Sequence, residues 1–577
     1  MSIDSEISMI KIRKQALKRG GVMMKPMLYT RFGDGTIRAF FILFAIAMGS
    51  ILWMVPEAEA MHFDFSEDTT LDFDTTVIYG VSMRMKDPDE KLLESINADD
   101  GNRSFEKGDL VSNRLTGRSD LDLKYKNMGV FARGRIFYDD VYYHKNANDS
   151  PGTHNNGPIM GGPLTDHRDF TDATKDQQGF DAEVLDLFYY SDFYVGERAA
   201  SFRIGDQVVS WGESLFTLGG ISAAQSYADA TMLNTPGAEL KDIFLPTGQV
   251  IGKIDLINNL SFSGYYQWEW KRHLADTCGT FFSTADYGDV GGYHQIVVPG
   301  VPITADRIED DDARDSGQYG VALRYLAQNL NDTEFGVYFL NYHEKYFQAK
   351  TVPGAGTPTF PDWTPILAGT PYESMAPMAN FADRLGYYLG YQEDIKLYGA
   401  SFSGQLGETN ISGEVSYRKD FNVQVKDNSP LNPLGYVYEP FDVYQVLVSG
   451  LKFLGPVSFI DETMLWFEVG FNQVLNPDNL YLDAFAWGGI VRGDFSFLQV
   501  LPNLDLKIPV TFTFRPNGNS SLPLTFTEKR HSVSIGTEFA FRQDILFGFK
   551  YTDFLGDSED DPKADRDNLS FSVKYTF

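Results

Sequence analysis

The chain has 577 residues and a formal net charge of −30, from 49 Lys and Arg against 79 Asp and Glu. That balance disfavours nucleic acid as a partner, because phosphate neutralisation needs a basic surface. The single cysteine, Cys278, excludes an internal disulfide framework and a cysteine-cluster metal site. A mean hydropathy of −0.25 is too polar for a bundle of membrane helices, but it suits a transmembrane barrel, where apolar and polar residues alternate.

Residues 39–55 are an uncharged apolar stretch preceded by Arg31 and Arg38 and followed by Ala58-Glu59-Ala60. A basic flank, an apolar stretch and small residues make a secretory signal peptide, with cleavage expected after Ala60. The basic region is long, and Met23, Met24 or Met27 gives a more usual start, so residues 1–22 read as a mis-annotated extension. The expected organisation is a leader over 1–60 and one body over 61–577. No other long apolar segment follows, and only helices or closed barrels satisfy their backbone groups in lipid.

Along 61–577 the dominant signal is a period of two. In 568–577, Leu569, Phe571, Val573, Tyr575 and Phe577 share one face, and Asn568, Ser570, Ser572, Lys574 and Thr576 the other. In 318–327, Tyr319, Val321, Leu323 and Tyr325 stand opposite Gln318, Gly320, Ala322 and Arg324. Segments 504–515 and 531–541 repeat the pattern. Apolar residues opposite small or polar ones fit lipid outside and a wet lumen inside. A last strand ending in Phe577, with Tyr575 beside it, resembles the signal that bacterial barrels present to the barrel-assembly machinery.

Connections alternate in length. Long ones cover 84–118, 141–182, 206–249, 271–317, 344–394, 418–441, 473–487, 516–530 and 555–567. Short ones cover 127–129, 192–200, 258–259, 328–332, 406–410, 454–460, 501–503 and 542–544. Nine long and eight short connections require 18 strands; weak strands near 130–140 and 250–255 leave 14 or 16 open. The fold expected is therefore all-β, a single antiparallel transmembrane barrel with short periplasmic turns and long extracellular loops, in contact with outer-membrane lipid and lipopolysaccharide.

Chemistry-bearing motifs are sparse. The sequence has no Gly-x-Ser-x-Gly elbow, His-Glu-x-x-His pair or phosphate loop. No catalytic, cofactor or metal residue is assigned, and no enzyme activity is expected. The acidic runs at 309–312 and 557–561 lack calcium-loop spacing and read as solvated surface. One connection differs from the rest: 206–249 is poorer in acidic residues and rich in small ones, with a short helix expected over 223–234. Trp211 has an apolar body usually covered from water. Asp206, Gln207, Glu213, Glu239 and Lys241 supply polar groups that could hold the segment to the inner wall. It is expected to narrow the lumen.

Several stretches resemble one known family. Gly205–Ser214 and Thr235–Lys241 match two of its motifs, and 99–102, 107–113, 129–134, 279–286, 413–418, 551–554 and 565–567 match others in order. The chain resembles the domain of unknown function 1302 family of bacterial outer-membrane β-barrel proteins over essentially all of 61–577. The resemblance implies a channel for hydrophobic or lipid-like molecules in the outer membrane of a Gram-negative bacterium. It also implies partners: a resistance-nodulation-division-type inner-membrane transporter and a periplasmic lipoprotein-like protein. It supplies no catalytic residue. A general porin for small polar solutes and an outer-membrane hydrolase are the alternatives.

Overall fold

The computed structural model describes residues 61–577, apart from 299–302, 357, 359, 371–372, 430–431 and 433. The leader expected over 1–60 lies outside the described residues. Eighteen antiparallel strands close into one barrel. In chain order they are β1 (Thr69–Arg84), β2 (Leu110–Tyr125), β3 (Met128–Asp139), β4 (Phe180–Val195), β5 (Arg198–Gln207) and β6 (Thr247–Ile257). There follow β7 (Leu260–Gln267), β8 (Gln318–Ala327), β9 (Thr333–Tyr342), β10 (Ile395–Leu406), β11 (Thr409–Lys426) and β12 (Tyr436–Val457). The last are β13 (Ile460–Val474), β14 (Phe485–Leu501), β15 (Leu504–Asn517), β16 (Ser532–Phe541), β17 (Ile545–Phe554) and β18 (Asn568–Thr576). A further strand, Met61–Ser66, pairs only with the start of β1. Among the described residues no helix is long and apolar enough to cross a membrane.

Closure is made by β1 and β18, in register from Thr76↔Thr576 to Arg84↔Asn568. Thr75 and Phe577 exchange both backbone hydrogen bonds, at 2.7 and 2.8 Å, so the ladder runs to the last residue of the chain. A closed sheet leaves no unpaired backbone edge for lipid to meet. Side-chain alternation follows the period of two. On β8, Tyr319, Val321, Leu323 and Tyr325 are exposed on the outer surface, while Gln318, Gly320 and Ala322 are buried. On β18, Lys574 and Ser572 turn inward, against Glu239 and Gly237 of the connection between β5 and β6.

Several boundaries differ from the sequence pattern: β2 begins at Leu110, inside the connection expected over 84–118, and the turn expected over 454–460 narrows to 458–459. The long connection expected over 418–441 is short, because β11 runs on to Lys426 and β12 begins at Tyr436. Phe421, Val423 and Val425 alternate inward there and are buried, which extends the ladder beyond the barrel body. The turn expected over 192–200 narrows to Gly196 and Glu197, with β4 and β5 paired up to Val195↔Arg198.

The long connections fold into a cap of their own. His294–Val298, Ile303–Arg307, Leu385–Gly390 and Gln348–Pro353 form a four-stranded sheet over Ala305, Ala349, Tyr387 and Leu389. The acidic runs are therefore only partly solvated. Asp310 is gripped by Arg307 at 2.6 Å and Arg272 at 3.3 Å, and Asp561 is buried. Residues 99–103, 279–286 and 565–567, far apart in sequence, meet within the cap. There the Asp99, Asp100 and Asp286 carboxylates lie within 4.8 Å of one another, all buried.

Burial first, and the neighbouring carboxylates second, push the Asp100 and Asp286 carboxyls well above their ordinary value of 3.8. The folded cap thus holds a proton that the unfolded chain releases. The resulting stabilisation is full below the ordinary carboxylate value and is lost as pH rises through the raised one. Asp286→Asn can still accept the Asp100 N–H bond, found at 3.1 Å, while removing a charge. It should raise the unfolding temperature of the cap at about pH 8 more than at about pH 5. An equal shift at both values in thermal melts would contradict this account.

Candidate functional site: a segment clamped across the lumen

The connection between β5 and β6 starts from a locked stem. Gln207 Nε2 donates to the Gln249 carbonyl at 3.0 Å, and Gln249 Nε2 donates to the Gln207 carbonyl at 2.7 Å. From there residues 208–246 turn into the barrel. Val209, Trp211, Ile221 and Ala224 form an apolar cluster with inward residues of β7 to β10, among them Tyr265, Tyr338 and Leu397. Trp211 is 3% exposed; its ring lies 5.1 Å from that of Tyr265 and 6.0 Å from that of Tyr338. The Trp211 N–H donates to Gln225 Oε1, which folds the segment back on itself.

Two carboxylates from the facing wall hold it. Glu414 on β11 accepts the N–H groups of Glu213 at 2.6 Å and Ile221 at 2.8 Å. Glu468 on β13 accepts three successive N–H groups, Leu215 at 2.6 Å, Phe216 at 3.2 Å and Thr217 at 2.7 Å. Consecutive backbone donors converging on one carboxylate make a concave anion seat, here filled by the barrel's own side chain. Arg418 on β11 donates to the Gly219 carbonyl at 2.8 Å and the Gly220 carbonyl at 3.2 Å. Ser449 on β12 donates to the Glu213 carbonyl at 3.2 Å. Gly212 is required by this approach: its φ is +95°, and an added Cβ would stand 2.4 Å from Glu414 Oε2.

The return limb reaches the other side of the barrel. Tyr227–Ala228 pairs with Phe244–Leu245 as a small hairpin, and Ala228, Met232 and Ile243 pack within it. In place of the short helix expected over 223–234 stand two single 3₁₀ turns, Ile221–Ala224 and Ala230–Leu233. The intervening Tyr227–Ala228 is drawn into the hairpin and cannot continue a helical turn. Glu239 caps the helical turn Leu240–Ile243. Its carboxylate meets Arg118 on β2 at 3.1 Å and Lys241 at 3.0 Å, and also Lys574 on β18. Arg118 reaches Asp242 as well, at 2.7 Å. Gly237, at φ +80°, sits so close to Ile78 on β1 that a Cβ would come within 2.7 Å. One connection leaving β5 is thus fastened to β11, β12 and β13 on one side and to β1, β2 and β18 on the other.

Of the residues singled out from sequence, Gln207, Trp211, Glu213, Glu239 and Lys241 belong to this arrangement. Asp206 does not join the lumenal bonding. It has the strand parity of Ile204, which is exposed on the outer surface. Tyr575 and Phe577 pack ring to ring at 5.1 Å on the closing strand. Glu414, Glu468, Arg418 and Arg118 were not anticipated. Their signal in the sequence is a charge on the inward parity of a strand, as with Glu468 in the otherwise apolar run from Leu465 to Val469.

Solved barrels resemble this fold at low identity. Acinetobacter baumannii OccAB4 aligns at 11% identity and TM-score 0.39, covering 89% of this chain and 98% of that one. Pseudomonas aeruginosa OpdK, solved with vanillate, aligns at 9% and 0.38, covering 89% and 100%. Salmonella typhi OmpF, in complex with daunomycin, aligns at 7% and 0.34, covering 90% and 100%. No curated protein sequence matches the chain. The profile of one sequence family, described as protein of unknown function (DUF1302), matches residues 41–577. A match over nearly the whole chain means that the chain belongs to the DUF1302 family.

Proposed function

We propose that the protein is an outer-membrane channel that guides a hydrophobic or lipid-like, amphipathic cargo past an internal constriction. The short turns face the periplasm and the long-connection cap faces outward. The observation that carries this reading is the connection 208–246, held across the lumen by buried carboxylates on one wall and ion pairs on the other. Such a segment divides the lumen into narrow passages lined by both apolar and charged groups, which favours selective passage over bulk diffusion. Cooperation with an inner-membrane transporter and a periplasmic lipoprotein-like protein is carried by the family resemblance alone.

Deleting residues 217–234 tests the reading in planar bilayers. Single-channel conductance should rise several-fold, and solutes excluded by the unmodified barrel should enter proteoliposomes. Unchanged conductance and an unchanged size limit would return the segment to a structural role.

A further inference from the structure

Beneath the clamped segment, on the short-turn side, lies a cavity of ≈ 390 Å³. Its roof is Val209, Ser210 and Trp211, and its walls are inward residues of β4 to β8. Arg203 on β5, Lys253 on β6 and Arg324 on β8 all line it, with Asp192 as the carboxylate among the lining residues. Neighbouring strands are about 4.8 Å apart, so the three cations lie on one patch of wall.

The pairing of these cations sets the cavity apart. A second cavity, ≈ 530 Å³ and nearer the cap, is lined by Lys271, Arg272 and Arg314. Each of those is neutralised: Lys271 by Glu269 at 3.0 Å, Arg272 by Asp310 at 3.3 Å, and Arg314 by Asp394 at 2.6 Å. In the lower cavity, Arg203 instead lies over the Phe188 ring at 5.5 Å, and neither it nor Lys253 has a carboxylate within ion-pair distance among the described residues. Arg324 has a 3.5 Å contact to the largely exposed Glu334, and its guanidinium is set 5.9 Å above Trp211 and 5.7 Å above Tyr338. Arg203 and Lys253, cations without an ion pair, attract an anion from solution. Trp211 and Ile251 beside them offer an apolar face to the rest of the molecule.

We propose that this cavity is a binding subsite for an amphipathic monoanion, its carboxylate held by Arg203 and Lys253 and its apolar body against Trp211 and Ile251. The proposal rests on the channel reading for its place in transport, and it names the charge class of the cargo. A cargo rising from the short-turn side meets the subsite before the constriction.

The test is calorimetric titration of the folded full chain in detergent with 3-phenylpropanoate and its neutral isostere 3-phenylpropanamide. The carboxylate should bind about tenfold more tightly than the amide, a difference that shrinks with added salt. The double substitution Arg203→Gln and Lys253→Gln should abolish that preference, weakening the carboxylate far more than the amide. Lys253→Gln alone, at a side chain without an ion pair, should halve the preference or more, and Lys253→Arg should restore it. Equal affinity for the two probes, no binding of either, or a preference that survives the double substitution overturns the proposal. Binding is read without transport, so a barrel that binds the carboxylate but keeps its conductance and size limit after the 217–234 deletion retains the subsite and loses the channel reading.

Discussion

Replacing Glu468 with Ala should open the channel. The side chain is 1% exposed and satisfies three backbone N–H groups of residues 215–217. Removing it leaves those donors buried without acceptors, at about 1–3 kcal/mol each. Water entering the vacated space recovers part of this only by unseating the segment. Since about 1.4 kcal/mol is a factor of ten in an equilibrium, even the lowest figure, taken over the three donors, shifts the seated form by more than tenfold. Adding Glu414→Ala frees the Glu213 and Ile221 donors as well. The expected record is larger single-channel conductance with frequent transitions between levels, greatest in the double variant. Glu468→Gln, which keeps one accepting oxygen, should fall between. A barrel of full stability with unchanged conductance and noise would show that the carboxylates do not hold the segment.

The second large effect is expected at Arg84, the last residue of β1. It is completely buried, and its guanidinium donates to Asp565 Oδ2 at 2.7 Å, to the carbonyls of Asn102 and Phe105 at 2.8 Å each, and to the Lys86 carbonyl at 2.8 Å. It thereby ties the barrel rim to the first and last long connections. Arg84→Met leaves the Asp565 carboxylate, 1% exposed, with only Arg566 at 3.5 Å and the Asp89 N–H at 2.8 Å among the described residues, and breaking one side of a buried pair destabilises by about 3–5 kcal/mol. The cap should loosen, with proteolytic cleavage appearing in residues 85–109 and 555–567 while the strands stay protected. Arg84→Met combined with Asp565→Leu removes the Arg84–Asp565 pair and should recover part of the resistance, although the Asn102 and Phe105 carbonyls remain unmet and Arg566 loses the carboxylate 3.5 Å from it. Identical cleavage in wild type and the single variant would contradict the assignment.

The barrel itself was legible because its determinants are local. A strand that divides lipid from a lumen must alternate, and the outward Tyr319, Val321, Leu323 and Tyr325 of β8 can be read from the chain with no knowledge of their neighbours. The alternation of short and long connections likewise pointed to 18 strands, and the structure resolves the alternatives of 14 and 16 in favour of that count. Trp211, Glu213 and Glu239 stood out because a low-acid, glycine-containing segment differs from its neighbours, and composition is also a local property.

What the segment is fastened to depended on closure. Glu414 and Glu468 lie about 200 and 250 residues beyond the backbone groups they accept, with separations of 201 for Glu213 and 252 for Phe216. No local pattern separates an inward glutamate that grips a main chain from one that faces water. Asp206 was misplaced for a related reason: its face follows from the parity of Ile204 and the register against Leu187, which charge and spacing do not encode. The acidic runs read as solvated because their sequence is hydrophilic, yet Asp310 and Asp561 are covered once the cap sheet assembles. The sequence by itself thus determined the alternating strands and the unusual connection, and pointed to 18 strands without excluding 14 or 16. Only the closed structure decided which charges meet across the lumen, because those pairings join residues that closure of the β1–β18 ladder brings together.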